Sequence, residues 1–263
     1  MFTLPFTLPD PDLSARLAEA LDVEGKIPRA LQELGPIDGR RVALVGDGAD
    51  GLVDWITAIG GEAVACVPAD GLATLAPAGA EVAVVVDDGL STVSPDAEAR
   101  LARIERSVCR PGRLLVMLHY GRDDVARLAD GADDAQAVDA AGEGEAALGA
   151  APALGAAPAG YAALRQRDRW FLGRGFKMRV IHGWWTFGAL EQAADLLEAA
   201  FGPAGQRVAA GMRRPRLSYK VVIYHRSLVP QDEPDAVPCD PSTSSGERPA
   251  DRPAPARSGR DRA

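Results

Sequence analysis

A glycine-rich turn is the first place in this 263-residue sequence where residue types and spacing could bind a ligand. Residues 46–51 form a G-x-G-x-x-G pattern, preceded by an apolar run and followed by a helical pattern. Glycines at this spacing allow a tight turn and let a ligand approach the backbone. The pattern predicts a nucleoside-type cofactor site built by Gly46, Asp47, Gly48 and Gly51, although a turn that binds nothing could carry the same glycines.

Three acidic residues extend this predicted cofactor site. Asp70 lies 19 residues after Gly51, where a carboxylate can accept hydrogen bonds from ribose hydroxyls. Asp87 and Asp88 follow the apolar run 82–86 and begin the loop at its carboxyl end. Acids in such a loop either contact a ligand or hydrogen-bond the loop itself, and the sequence leaves both interpretations open.

Two residues directly after another apolar run could transfer a proton. His119 and Tyr120 follow residues 113–118. The pKa of an unperturbed histidine lies near neutrality, so His119 is the candidate general base, with Tyr120 beside it; a histidine satisfied by the backbone at a strand end is the alternative. No G-x-S-x-G run indicates a serine hydrolase, and no histidine or cysteine spacing indicates a metal site.

An aromatic and cationic group near the end of the core could bind an acceptor. It comprises Trp184, Trp185, Arg213, Arg214 and Arg216. Such a rim suits a planar or anionic small molecule, whereas tryptophans packed under the following helix would be structural. Residues 165–228 hold twelve basic and four acidic side chains, a net charge of +8 in a chain of net charge −8. A nucleic-acid substrate is not expected, because its domain would show a larger overall basic excess.

Strand and helix patterns alternate along the chain and would position these residues. Predicted strands cover residues 41–45, 63–67, 82–86, 113–118, 176–181 and 218–224. Predicted helices cover residues 13–21, 27–34, 51–59 and 161–172, with a short helical piece at 71–75. Another predicted helix begins at the cap Thr186 and ends at Gly202-Pro203. A further helix begins at the cap Ser94 and ends at Pro111-Gly112. This alternation predicts an α/β doubly wound fold with a mainly parallel sheet.

Composition limits the class of protein and its organisation. The chain is 47% hydrophobic and 25% charged, as in ordinary globular proteins, and no run of about 18 apolar residues would cross a membrane. The N-terminus lacks the features of a secretory signal, so we expect a cytoplasmic protein. We expect leading helices in residues 1–40, a domain at 41–228 with a low-complexity insertion at about 129–160, and a disordered tail at 229–263.

Four segments resemble the class I S-adenosylmethionine-dependent methyltransferases. Residues 24–28 (Glu-Gly-Lys-Ile-Pro) open a helix ahead of the first strand, and residues 42–48 (Val-Ala-Leu-Val-Gly-Asp-Gly) are similar to the first motif of that family. Residues 110–115 (Arg-Pro-Gly-Arg-Leu-Leu) are similar to the R-P-G-G-x-L run before its fifth strand. Residues 176–224 resemble its closing strand–helix–strand pair. The resemblance implies a Rossmann-like fold with an antiparallel last strand, S-adenosyl-L-methionine as cofactor and methyl transfer to a small molecule.

The chain also departs from that family pattern in two places. Leu44 stands where the first motif usually has an acid, and about 13 residues between Pro68 and Val82 replace a helix, a third strand and a second helix. A non-catalytic binding protein with the same fold is therefore an alternative. A nicotinamide-dependent oxidoreductase is a second alternative, since it would use the same glycine pattern, but no Tyr-x-x-x-Lys pair is present.

Overall fold

The computed structural model describes residues 10–22, 24–46, 48–77, 79–86, 90, 93–121, 123–126, 128 and 160–229. The predictions made for Asp47, Asp87 and Asp88 lie outside the described residues. So do those for the insertion, apart from Gly160, and for the tail beyond Val229. The predicted domain bounds stay predictions.

Six strands and six helices make up the described chain. The strands are β1 (Arg41–Val45), β2 (Glu62–Val67), β3 (Ala80–Val85), β4 (Val108–His119), β5 (Lys177–Thr186) and β6 (Arg216–Leu228). The helices are α1 (Pro11–Ala20), α2 (Lys26–Leu34), α3 (Val53–Ala58), α4 (Pro95–Ser107), α5 (Gly160–Leu172) and α6 (Leu190–Ala210). Short 3-10 turns occur at Ala49–Leu52 and Gly71–Thr74.

The strands form one sheet in the order β2-β1-β3-β4-β6-β5. Neighbours from β2 to β4 are parallel, whereas β6 is antiparallel to both β4 and β5. The carboxyl ends of the first five strands and the amino end of β6 therefore share one edge, here called the carboxyl edge. The predicted fold, a doubly wound Rossmann-like α/β sheet with an antiparallel last strand, is confirmed.

Two apolar cores lie on opposite faces of this sheet, because successive strand residues point to opposite sides. The first face packs α1, α2, α3 and α6 against residues such as Leu44 and Leu115. The second face packs α4, α5 and the turn Gly71–Thr74 against residues such as Val45 and Leu114. Strands buried on both sides explain the continuous apolar runs in the sequence.

The Arg110-Pro111-Gly112 run differs from its predicted role as a helix stop. α4 begins as expected, with the Ser94 side chain accepting a hydrogen bond from Ala97 N at 3.1 Å, but it ends at Ser107. The run lies inside β4, where the pairing with β3 shifts register, and the Arg110–Pro111 peptide bond is cis. A Cβ on Gly112 would lie 2.3 Å from Cys109 O, so a local bulge rather than a helix end requires this glycine.

β5 and α6 also extend beyond their predicted bounds. β5 runs to Thr186, so the proposal that Thr186 caps the next helix is wrong; the cap position is Ala189. Gly202 interrupts α6 with a φ of 53°, and the helix resumes through Pro203 to Ala210. Proline is tolerated there because it begins a new helical segment.

Candidate functional site

The predicted cofactor loop lies at a topological switch point of the sheet. β1 stands between β2 and β3, and the chain leaves β1 toward one neighbour and returns to the other. Open α/β sheets bind ligands in the crevice at such a point, outside the carboxyl ends of the strands. Gly46 and Gly48 follow β1 with φ values of 111° and 77°, which favour glycine over other residues. The structure therefore places both glycines where a ligand could approach the backbone.

Two of the amide groups after this turn are used within it. Ala49 N donates to Gly46 O at 3.2 Å, and Gly51 N donates to Gly48 O at 3.3 Å. The helix that follows, α3, has only six residues. A dinucleotide pyrophosphate needs amides at this position that are free to bind it. The turn is accordingly suited to a nucleoside without phosphate groups more than to a dinucleotide.

Asp70, the predicted ribose ligand, is exposed three residues beyond the end of β2. Its side chain makes no capping hydrogen bond to the 3-10 turn that it precedes. Among the described residues, Gly46, Gly48, Gly51 and Asp70 thus fit the approach of a nucleoside, and they lie along the carboxyl ends of neighbouring strands β1 and β2.

The connection from β2 to β3 is short and tightly attached to α4. Arg100 donates to Ala69 O at 2.7 Å, and Arg103 donates to Leu72 O at 2.7 Å and to Ala73 O. Within the described residues, β2 is an edge strand and no further strand or α-helix separates it from β3. One 3-10 turn fastened to α4 is therefore the only helical element described between these two strands.

His119 forms a buried pair with Asp123 at the end of β4. Nε2 of His119 lies 3.1 Å from Oδ2 of Asp123, and the two side chains are 7% and 0% exposed. The Asp123 carboxylate also accepts hydrogen bonds from Ala126 N at 2.9 Å and from Lys220 N at 2.7 Å. Nδ1 of His119 is buried and has no hydrogen-bond partner in the described part of the chain. A carboxylate at Nε2 favours the tautomer whose Nδ1 can accept a proton.

Trp185 is a core residue, which corrects its expected place on an open rim. Its side chain is fully buried and stacks on Tyr219 and Phe201, with ring centroids 6.2 Å apart in both pairs. Tyr219 in turn stacks on the ring of His119 at 5.0 Å. Trp185 packs in the first-face core under α6. This is the alternative interpretation of the tryptophans given by the sequence.

Trp184 and the three predicted arginines lie at the carboxyl edge. The guanidinium of Arg216 lies 4.4 Å from the ring centroid of Trp184, which is half-buried. Arg213 and Arg214 are exposed in the bend before β6. His119 pairs with Val221, so residues 216–220 of β6 extend past the end of β4. The assignment of these side chains to an acceptor stays a prediction.

Tyr120, the second predicted catalytic residue, lies on the second face, opposite His119. It is half-buried and packs against the second-face core, and its backbone N donates to Lys220 O at 2.8 Å. The structure thus brings His119 and Tyr120 to one edge but not to one side of the sheet.

Asp22 fastens the leading helices to the carboxyl edge. Its carboxylate accepts hydrogen bonds from Lys26 N at 3.0 Å and Ile27 N at 2.6 Å, and its own N donates to Trp184 O. Burial raises the pKa of the Asp22 carboxyl, although these hydrogen bonds oppose the shift. Its left-handed φ of 46° is unusual for a residue other than glycine. The residue is a helix cap that positions α2.

Two residues of this edge were missed in the sequence. Asp123 could have been found as an acid four residues after the candidate histidine, in the loop that follows its strand. Arg167 occupies the buried stripe of α5 between Leu164 and Phe171, where an arginine is out of place. A charged residue on an apolar stripe is a signal for a buried polar network.

Comparisons with known proteins identify no close relative. No protein-family model matches the chain, and no curated protein matches it. Several solved structures are similar to it at low identity. A cyclopropane-fatty-acyl-phospholipid synthase-like protein from Lactobacillus casei is 11% identical, with a TM-score of 0.40 over 83% of this chain and 96% of that one.

Methyltransferases recur among these matches. Phosphoethanolamine N-methyltransferase 2 from Haemonchus contortus, in complex with S-adenosylhomocysteine, is 13% identical with a TM-score of 0.36 over 78% of this chain and 52% of that one. Coclaurine N-methyltransferase, also bound to S-adenosylhomocysteine, is 11% identical with a TM-score of 0.33 over 76% and 72%. The fold assignment rests on the strand order of this chain itself.

Two searches of the described residues concern membranes and metals. Among them, no helix has the length and apolar character needed to cross a bilayer. The same residues contain no group of three or more histidine, cysteine or acidic side chains arranged to hold a metal ion.

Proposed function

We propose that this protein transfers a methyl group from S-adenosyl-L-methionine to a small-molecule acceptor at the carboxyl edge. The observation that carries the proposal is the buried His119–Asp123 pair, whose histidine Nδ1 has no hydrogen-bond partner among the described residues, on the same edge as the left-handed glycines Gly46 and Gly48. When bound, the cofactor would supply an electrophilic methyl group on a sulfonium. The protein then has to orient the acceptor, exclude water and remove one proton.

The glycine turn and Asp70 would hold the nucleoside. Gly46, Gly48 and Gly51 keep the space beside the backbone free of side chains, and Asp70 offers an exposed carboxylate to ribose hydroxyls. Asp47, Asp87 and Asp88 remain part of this proposed site on the sequence argument alone.

His119 would accept the acceptor's proton at Nδ1. Asp123 keeps the other ring nitrogen protonated and stabilises the imidazolium that forms, as a carboxylate does in other histidine-based sites. Because Asp123 is itself held by Ala126 N and Lys220 N, the ring has a fixed orientation. Trp184, Arg213, Arg214 and Arg216 would face the acceptor from the neighbouring strand ends, and Tyr120 would border it from the second face.

A non-catalytic protein with this fold is the second candidate. It is favoured by the single 3-10 turn that stands between β2 and β3, where the family has further elements beside the nucleoside. A nicotinamide oxidoreductase is disfavoured by the internally bonded amides of Ala49 and Gly51. The cytoplasmic location expected from the sequence is part of the same proposal.

Titration calorimetry on the full chain tests these candidates. We expect S-adenosylmethionine and S-adenosylhomocysteine to bind and NADH to release no heat. Binding of NADH in place of both would favour the oxidoreductase. If none of the three binds at millimolar concentration, the methyl-transfer proposal fails and the non-catalytic candidate replaces it.

A further inference from the structure

Arg167 is a fully buried guanidinium whose partners in the described residues are all neutral. The side chain is 1% exposed and extends from α5 to the carboxyl edge on the second face. Nε donates to the hydroxyl of Tyr224 at 3.1 Å, and Nη1 donates to the backbone oxygen of His119 at 3.1 Å. Arg167 therefore contacts the backbone of the same residue whose ring pairs with Asp123 on the first face.

The second terminal nitrogen of this guanidinium is unused. Nη2 is buried and makes no hydrogen bond to any described residue. No carboxylate of these residues forms an ion pair with Arg167; Asp168 is linked to it only through the Tyr224 hydroxyl, which accepts from Arg167 and donates to Asp168. Buried charges are normally paired, and a buried donor without an acceptor is costly. Nη2 is therefore able to donate to one anionic acceptor.

The surroundings favour an anion over a neutral group. The rings of Tyr120 and Tyr224 each lie 5.9 Å from Cζ of Arg167 and attract the cation without neutralising it. Alternation along β6 places Arg216 and Lys220 on this same face, beyond the end of β4. Tyr120 is half-buried, so the group borders solvent at that residue.

We propose that Nη2 of Arg167 binds a carboxylate of the acceptor, so that the substrate of this protein is an organic acid. That the ligand is a substrate rests on the proposed function, but the anion site itself does not depend on methyl transfer. A carboxylate fits because Nη2 is the one nitrogen of this guanidinium without an acceptor, whereas a phosphate monoester brings about two charges and three acceptor oxygens. Arginine also matches the planar geometry of a carboxylate.

Binding of two small aromatic probes tests the site directly. Benzoate and benzamide differ in charge but hardly in shape, and inorganic phosphate serves as the second anion. We expect calorimetry on the wild-type protein to detect benzoate, and to detect benzamide and phosphate at least tenfold more weakly. Equal binding of benzoate and benzamide, tighter binding of phosphate, or no binding of benzoate would overturn the proposal.

The variant Arg167→Met separates a ligand-binding role from a structural one. Methionine fills similar volume without charge, and removal of an unpaired buried charge offsets the loss of its hydrogen bonds to Tyr224 and to the backbone oxygen of His119. We expect benzoate affinity to fall at least tenfold while the melting temperature of the free protein stays the same or rises. Arg169→Met, an exposed arginine of the same helix, is the matched control and should retain wild-type affinity.

Two other results would count against the proposal. Unchanged benzoate affinity in Arg167→Met would overturn it. If Arg167→Met fails to fold and the wild-type protein does not prefer benzoate over benzamide, the proposal is also overturned, because Arg167 would then be structural. The carboxylate site and the proposed function fail separately: benzoate binding without S-adenosylmethionine binding removes only the methyl transfer, and the reverse removes only the carboxylate.

Discussion

Oδ2 of Asp123 lies 3.1 Å from Nε2 of His119, at the residue where β4 ends and its loop begins. The loop returns along β6, since Asp123 accepts from Lys220 N and Asp124 accepts from Ser218 N. The carboxylate is thus fixed by β6, the strand that begins at the carboxyl edge. This arrangement links the orientation of the histidine ring to the integrity of β6.

Replacement of His119 by glutamine should abolish proton removal but not cofactor binding. We expect turnover with an organic-acid acceptor to fall by roughly 10² to 10⁴, the usual contribution of a positioned general base. Affinity for S-adenosylmethionine, measured by calorimetry, should stay within about twofold, because the ring lies at β4 and the glycine turn at β1. His182→Gln, an exposed histidine of β5, should behave as wild type. Undiminished turnover in His119→Gln would remove the base assignment.

The variant Asp123→Asn should destabilise the fold. Asparagine keeps one acceptor oxygen, but its NH₂ group would face donors that bind the carboxylate in the wild type, such as Lys220 N and Ala126 N. We expect the free energy of unfolding, measured in urea, to fall by about 1–3 kcal/mol, the cost of buried donors left without an acceptor. The exposed residue Asp54 provides a control, and Asp54→Asn should change the value by less than about 0.5 kcal/mol.

Alanine at Gly48 tests the cofactor turn. Gly48 and Gly39 have φ values of 77° and 67°, and a Cβ on Gly39 would meet no atom within 4 Å. Each substitution should cost about 1–2 kcal/mol of stability, because alanine disfavours left-handed backbone. Only Gly48→Ala should also weaken S-adenosylmethionine binding, since Gly39 precedes β1 and lies at the opposite end of the strand. Equal affinities in the two variants would separate the turn from the cofactor.

His225 should make the protein less stable in mild acid. Partial burial, followed by the nearby cations Lys177, Arg113 and Arg179, lowers the pKa of His225 below its ordinary value of 6.5. As the pH falls through that value the unfolded chain takes up a proton that the folded chain refuses, so stability decreases. Between about pH 7.5 and about pH 5.5, wild type should therefore lose more unfolding free energy than His225→Gln.

A second variant checks the cause of that pH dependence. Lys177→Gln removes one of the cations that face His225 and should reduce the loss on acidification. Thermal melts at both pH values, with His182→Gln as the control for an unrelated histidine, provide the comparison. If wild type and His225→Gln respond identically to acid, His225 does not titrate as inferred.

Gly112 should be the most sensitive residue of the Arg-Pro-Gly run. An alanine Cβ there would lie 2.3 Å from Cys109 O and 2.5 Å from Val108 Cγ1, so the backbone must move. We expect Gly112→Ala to lower the unfolding free energy by about 1–3 kcal/mol or more, as overpacking does. Gly79→Ala is the matched control, because its Cβ would meet Ala76 O at an ordinary 3.6 Å. Equal urea midpoints for the two variants would contradict this interpretation of the run.

The alternation of strands and helices could be predicted because it depends on local apolar patterns. β1 was predicted at its exact bounds, and the beginning of α4 after the cap Ser94 was predicted from the Ser-Pro pair. The far end of β5 could not be predicted, since residues 182–186 are held by pairing with residues 216–220 rather than by their own pattern. The beginning of β4 at Val108 was also missed. Pro111 looked like a helix stop because a bulge in a strand has the same residue preferences.

A residue of the candidate site could be predicted only where its residue type alone indicates its role. The glycines Gly46 and Gly48 were found because backbone conformation restricts them to glycine. The partnership of His119 with Asp123 and the burial of Arg167 depend on contacts between separate elements, as does the inward packing of Trp185 on Tyr219. The sequence signals that exist, an acid four residues after His119 and an arginine on the apolar stripe of α5, indicate candidates but not these contacts.

The short connection between β2 and β3 also bears on how selective a nucleoside site at this edge would be. Arg100 and Arg103 hold its 3-10 turn against α4, and β2 has no neighbour on its outer side among the described strands. A base lying toward β2 would meet no described strand on its outer side. We expect recognition to depend on ribose and amino-acid contacts, so that cofactor analogues enlarged at the base are accepted as readily as the natural compound.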